Sequence, residues 1–309
     1  MSPAIHIHSL DRRIVAGHVS LATVQVCFGL FPVIGTIAFG PGGLSPLAVG
    51  GWRIVVGSLV LGALARARFG PRVWPLARDL PLFFLCAMLG VALNQGLFLV
   101  GLSRSTPMNA GLVMSLIPVF TFGIAALVRQ ERFAATRALG IVIALAGIVP
   151  LLFTDGLSGL GVHGFGNLLM VANALCYSGF LVLTKVLTRR YPSFVIAAWA
   201  YIFSMMAVPF LFYGQGLLPA PEATAAWWSL AYILVIPTVI AYLLNLFALA
   251  RVRASTVAVY VYAQPIISGL ASWLVFGERP TLAMLIAAPA LFVGIWLVGR
   301  RPPPVRVVT

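Results

Sequence analysis

The chain has 309 residues, of which 61% are apolar and 8% charged, and its formal net charge is +14. A soluble domain carries about 25% charged residues, so this composition excludes a soluble protein and places the chain in a bilayer. The excess of base does not point to nucleic acid, because Lys and Arg are scattered singly or in pairs between apolar runs and form no aromatic-studded basic face.

A membrane-crossing helix needs about 20 apolar residues. Cut at its charges and its Gly/Pro clusters, the sequence predicts ten spans, near residues 14–39, 44–65, 80–102, 107–128, 136–153, 164–187, 193–213, 225–249, 254–276 and 281–299. The first follows Asp11-Arg12-Arg13 and outruns the short apolar core of a signal peptide, so it is expected to stay as an anchor. Cys27, Cys86 and Cys176 lie inside apolar spans without metal or redox spacing, which makes them packing residues. No predicted loop exceeds about fifteen residues, so the function has to reside in the membrane part. With the amino terminus inside, Arg104 and Arg279 are the bases left on the outer side and Arg53 falls within the second span. All other Lys and Arg face inward, which predicts cytoplasmic termini and an inner-membrane location. The charge therefore sets orientation and faces anionic lipid.

Shifting the sequence by 147 residues superposes Trp52 on Trp199, Arg104 on Arg251, Pro118 on Pro265, Glu131-Arg132 on Glu278-Arg279 and Gly147-Ile148 on Gly294-Ile295. Such punctuation at one offset reads as a duplication, with halves 1–155 and 156–309. Each half holds five spans, an odd number, so the second copy is inverted in the membrane, as in alternating-access carriers. The two Glu-Arg pairs read as hairpin markers, each Arg near the carboxyl end of the preceding helix and each Glu near the amino end of the following one.

Pro118 and Pro265 fall mid-span in the fourth and ninth helices, where each removes a backbone hydrogen bond. As repeat mates they are expected to be paired hinges. Polar residues at membrane depth are costly and usually face an interior cavity. Asn94 and Gln95 sit in the third span, Asn173 and Tyr177 in the sixth, Tyr242 and Asn245 in the eighth, and Tyr260 and Gln264 in the ninth. Spacings of three or four residues put each of the last three pairs on one helix face. With indole and phenol rings such as Trp199, these groups are expected to line a pocket for a small zwitterion with a hydrophobic or aromatic side chain; interhelical bonding that only glues the bundle is the competing reading. Arg53 either holds a substrate carboxylate, reaches a helix carbonyl or snorkels outward. All six acids fall in loops or at helix ends, so the carboxylate relay of a proton pump is missing and facilitated movement down the substrate gradient is expected. No P-loop, HExxH or GxSxG motif is present, which argues against an enzyme and for no cofactor.

"WRIVVGSLVL" in the second span, "NAGLVMSLIPVF" leading into "RQERF", and "AQPIISGLASWLVFGERP" resemble the EamA branch of the drug/metabolite transporter superfamily. The resemblance covers nearly the whole chain and is strongest to the amino-acid exporters of that branch. It implies an all-α integral membrane fold of ten transmembrane helices in two inverted five-helix repeats. It further implies export of aromatic and other neutral amino acids through a cavity whose wall includes Asn94, Gln95, Met114, Tyr242, Asn245, Tyr260 and Gln264. Relatives in the superfamily move sugars, nucleotide sugars, polyamines or drugs, so the substrate stays open at this point, as does the oligomeric state. "QERF" becomes "GERP" and Asn109-Ala110 becomes Thr256-Val257 in the second copy, which leaves the symmetry of the two halves open as well.

Overall fold

A computed structural model describes residues 3–131, 135–153, 162–249, 251 and 260–299, and these are helical nearly throughout, with no strand among them. In chain order the spans are α1 (Pro3–Ala38), α2 (Pro46–Phe69), α3 and α4 (Leu80–Ala87, Leu93–Leu102), α5 and α6 (Pro107–Met114, Ile117–Leu127), α7 (Ala135–Leu152) and α8 (Val162–Leu187). They continue with α9 and α10 (Ser193–Ser204, Val208–Phe212), α11 and α12 (Thr224–Val235, Ala241–Leu249), α13 (Ala263–Phe276) and α14 (Leu282–Gly299). Nine of the spans in the described residues are long and apolar enough to cross a bilayer, and α13 is a shorter apolar helix. The ninth predicted span, 254–276, is described from residue 260 onward. Large apolar side chains such as Leu59, Val142, Leu274, Leu285 and Trp296 stay exposed around the periphery, as a surface solvated by acyl chains requires.

The helices pair across the repeat. α7 packs along α14, α2 along α9, and α1 lies against α12 and α13 as α8 lies against α4 and α6. At the α7–α14 seam a Cβ added to Gly140 would meet Gly294 O at 2.6 Å, and one added to Gly147 would meet Ala290 Cβ at 2.6 Å and Ala287 O at 3.4 Å. Residue 140 faces 294 while their 147-offset mates, 287 and 147, face each other, which is the contact pattern of antiparallel helices related by a two-fold axis. Only glycine allows this approach of the backbones.

The two conserved-offset tryptophans act as matching staples. Trp52 Nε1 donates to Leu217 O at 2.6 Å in the loop between α10 and α11. Its mate Trp199 donates to Val73 O at 2.7 Å in the loop between α2 and α3. Each half thus fastens a loop of the other, on opposite faces of the bundle.

One face carries Arg66, Arg68, Arg72, Arg78, Arg129, Arg137, Lys185, Arg189, Arg190 and Arg251 at span ends and loops. On this basic face Asp79 accepts from Arg190 Nη1 at 2.8 Å and from the Tyr191 hydroxyl at 2.7 Å, and Tyr191 Oη in turn accepts from Leu76 N at 3.0 Å. Burial, and after it the Asp79 carboxylate, push the Tyr191 phenol up. The Glu-Arg markers part company. Glu131 pairs with Arg137 at 3.2 Å on the basic face. Glu278 on the opposite face does not reach the amino end of the helix that follows it. The left-handed Gly277 (φ 67°) ends α13, and Glu278 accepts from Met108 N of α5 at 3.4 Å and from the Ser272 hydroxyl.

Gly140→Val is expected to overpack the α7–α14 seam at a cost of about 1–3 kcal/mol. The check is the melting temperature of detergent-purified protein, which should fall; an unchanged value would mean that the seam opens freely.

Candidate functional site

The third and eighth spans are each interrupted by a π-turn, Met88–Ala92 and Ile236–Ile240. Residue 88 shifted by 147 is 235, so the two turns are repeat mates within one residue. A π-turn leaves a carbonyl without its usual partner and often marks a functional position. In the eighth span Pro237 has no N–H to give to Ile233 O, and the Thr238 hydroxyl takes that carbonyl instead at 2.7 Å. In the third span the Ser204 hydroxyl sits between Ala87 O at 3.1 Å and its own Ala200 O at 2.7 Å. Asn173 Nδ2 donates to Asn94 O at 2.5 Å, one turn further on.

Between the two π-turns lies a buried polar cluster. Arg53, only 7% exposed, donates from Nε to Thr238 Oγ1 at 3.1 Å and lies over the Phe31 ring at 4.4 Å. It neither snorkels nor reaches a helix carbonyl. Tyr201 on α9 is within electrostatic reach of the guanidinium and stands beside the Gln95 side chain. Tyr177 and Tyr242 are each within electrostatic reach of the Tyr201 phenol. Gln95 is buried, and its Oε1 has no hydrogen-bond partner. Burying an arginine at membrane depth costs about 2.5–3.5 kcal/mol on a translocon scale. A hydrogen bond to a charged group returns about 1.5–3 kcal/mol and a cation–π contact about 0.5–2 kcal/mol, so these two contacts together offset a burial cost of that size.

The fourth span breaks between α5 and α6. Ser115 N and Leu116 N fall back to i−3 bonds with Leu112 O and Val113 O at 3.1 and 3.0 Å, and Pro118 follows in the first turn of α6. The ninth span has its turn at Tyr262, 147 residues after Ser115, with Pro265 just inside α13. The interruptions expected at Pro118 and Pro265 are therefore present and lie three residues before each proline. The Ser178 hydroxyl reaches Ile117 O at 2.9 Å at the first break.

A model of the EamA-like transporter family matches residues 15–153 and again 164–300. The chain belongs to the EamA-like transporter family. It is 26% identical over 285 residues to the probable terminal-alkyne amino-acid exporter of Streptantibioticus cattleyicolor, covering 90% of this chain and 91% of that protein. It is 27% identical to the uncharacterized transporter YdfC of Bacillus subtilis, over 82% of this chain and 81% of that one. It is 24% identical to the protein WALLS ARE THIN 1 of Arabidopsis thaliana, over 91% and 82% of the two chains. A crystal structure 20% identical in sequence superposes with a TM-score of 0.62 over 92% of this chain and 97% of that one, a likeness of fold. The protein is a multi-pass membrane transporter and not an enzyme.

For an EamA-like transporter the π-turn cluster is the natural candidate site, and it gathers Arg53, Gln95, Tyr177 and Tyr242 of the expected residues. Others stand nearby in separate pairs: Asn94 with Asn173, Gln264 Nε2 with Gln25 Oε1 at 2.7 Å, and Tyr260 Oη with His18 Nδ1 at 3.0 Å. Met114 and Asn245 are half-buried, Met114 at the end of α5 and Asn245 on α12. Trp199 donates to Val73 O and makes a ring contact with Trp74 at 5.4 Å, and it packs against the same buried residues as Tyr201 and Tyr242. Sequence reasoning missed Tyr201, Thr238 and Phe31. The TVxAY run after Pro237 held a signal for Thr238, since a hydroxyl beside a mid-span proline is the usual source of a replacement donor. A crevice of about 520 Å³ between α5, α13 and α14, lined by Met108, Leu112, Pro265, Trp273 and Met284, is apolar and offers nothing to orient a metabolite.

Tyr201 is seated against Gly57, where an added Cβ would come within 2.3 Å of the ring. Gly57→Ala is expected to shift Tyr201 out of the cluster and lower the initial transport rate at least tenfold in proteoliposomes, with a monodisperse folded protein. Unchanged rates would remove Tyr201 from the site.

Proposed function

We propose that this transporter exports amino acids with aromatic and other neutral side chains from the cytoplasm by alternating access. The observation that carries the reading is the cluster of buried Arg53 and Gln95 with half-buried Tyr177, Tyr201 and Tyr242, which combines one cation, an unpartnered amide oxygen and several phenol rings at membrane depth. An α-amino acid needs a donor for its carboxylate, an acceptor for its ammonium and an apolar wall for its side chain, and these groups supply all three. Asn94, Met114, Asn173, Asn245, Tyr260 and Gln264 complete the wall, and Trp199 closes it toward the basic face. Similarity to an amino-acid exporter supports the same substrate class.

In this reading the basic face is cytoplasmic in the inner membrane, as the positive-inside rule requires, and both termini lie there. Halves 1–155 and 156–309 rock against each other about the α7–α14 seam, and the broken spans at Ser115 and Tyr262 bend. Pro118 and Pro265 keep those breaks open because neither can restore the missing helix bond. Movement is downhill, since Glu278 and the other acids lie at span ends and in loops.

Counterflow of labelled phenylalanine into liposomes preloaded with unlabelled phenylalanine tests the reading. Saturable uptake, competed by tryptophan and threonine but not by a nucleotide sugar, is the expected result; competition by the nucleotide sugar alone would contradict it. Pro265→Ala is expected to slow counterflow several-fold at constant protein yield, and wild-type rates would dismiss the hinge.

A further inference from the structure

We infer that Arg53 is the anchor for a carboxylate on the transported molecule, and that Thr238 on the π-turn of the eighth span is the residue that aims it. The inference rests on the cluster being the transport site, and it assigns the part of the substrate that the site demands.

The geometry runs from the backbone outward. Pro237 leaves Ile233 O without its usual i+4 amide donor, and the Thr238 hydroxyl spends its one hydrogen there at 2.7 Å. Its oxygen can then only accept, and it accepts from Arg53 Nε at 3.1 Å. That bond uses one of the five guanidinium N–H groups and fixes the plane of the fork. Phe31 covers one face of that plane at 4.4 Å from Cζ to the ring centroid. What is left is the in-plane approach to Nη1 and Nη2, the direction from which a carboxylate binds with two parallel hydrogen bonds. No acceptor among the described residues meets those two nitrogens.

The acids whose side chains are described are occupied or distant in the fold. Asp79 is bound to Arg190, Glu131 to Arg137, and Glu278 to Ser272 and Met108 N, while Glu222 is exposed in the loop before α11. A buried cation with an oriented, unused fork and no counter-charge among the described side chains is completed by an anion that arrives with the substrate. Arginine suits this role and lysine does not, because the fork supplies two donors of fixed spacing and stays charged when buried. The bond to Thr238 also connects the bound anion to the π-turn, so occupancy is transmitted to the shape of the eighth span.

The test is ligand-induced thermal stabilisation of the purified full-length protein with four probes of matched ring: phenylalanine, 3-phenylpropionate, phenylalaninamide and 2-phenylethylamine. Phenylalanine and 3-phenylpropionate are expected to stabilise the wild type, and the amide and the amine are not. Arg53→Gln should weaken both carboxylates at least tenfold, and Arg53→Lys should recover only part of the loss. Thr238→Val should weaken them several-fold, with recovery by Thr238→Ser, which a merely structural effect of the valine on folding would not give. Four results would each overturn the inference: equal stabilisation by phenylalanine and its amide, no carboxylate-dependent shift in the wild type, undiminished carboxylate binding by Arg53→Gln, or a shift reproduced by sodium chloride at the same concentration. The last marks an inorganic anion site. Should 3-phenylpropionate bind while phenylalanine neither binds nor undergoes counterflow, the amino-acid reading fails and the anchor stands. Should phenylalanine and its amide undergo counterflow equally, the anchor fails and the exporter reading stands.

Discussion

In a bilayer core no water is available to satisfy a free N–H or C=O, and each orphan costs several kcal/mol. A helix that has to change shape there must nevertheless break its own ladder. At three of the interrupted spans a side chain takes up a carbonyl beside the break: Thr238 on Ile233 in the eighth, Ser204 on Ala87 and Asn173 on Asn94 in the third, and Ser178 on Ile117 in the fourth. Three of these four donors come from a different span. The broken backbone is thus held in register by the helices around it, and those helices surround the candidate site. The position of the cluster follows from where the ladders are open.

The inverted repeat explains why the interruptions converge. Mated π-turns in the third and eighth spans, mated breaks at Ser115 and Tyr262, and mated staples from Trp52 and Trp199 are disposed about the seam where Gly140 meets Gly294. Chemistry is then laid asymmetrically on a symmetric frame. Gln95 corresponds to Tyr242 at the same offset, Glu278 caps α5 while its mate Glu131 pairs with Arg137, and Arg53 has no charged mate, since residue 200 is alanine. The backbone frame is thus symmetric, whereas the side chains laid on it are not equivalent.

Much of this was legible in the sequence because the signals are compositional. Hydropathy located the described spans to within a few residues, the first included at Ile14–Ala38, although its helix starts earlier, at Pro3; a helix once nucleated propagates past the apolar stretch at little cost. Proline marked both broken spans. The π-turns were not legible, since five residues of altered pitch among uniformly apolar neighbours leave no change of period, and only Pro237 hints at one. Tyr201 was missed because its importance comes from residues far away in the chain, Gln95 and Arg53, and no spacing rule connects them.

The central claim is that the open ladders are the moving parts and that the bound substrate closes around them. Hydrogen–deuterium exchange of the transporter in lipid nanodiscs, with and without phenylalanine, tests it most directly. The account predicts that amides at 88–95, 115–120, 236–242 and 262–268 exchange faster than those in the middle of α2 and α8, and that phenylalanine slows this set selectively. Uniform protection along all spans, or slowing confined to the loops, would contradict it.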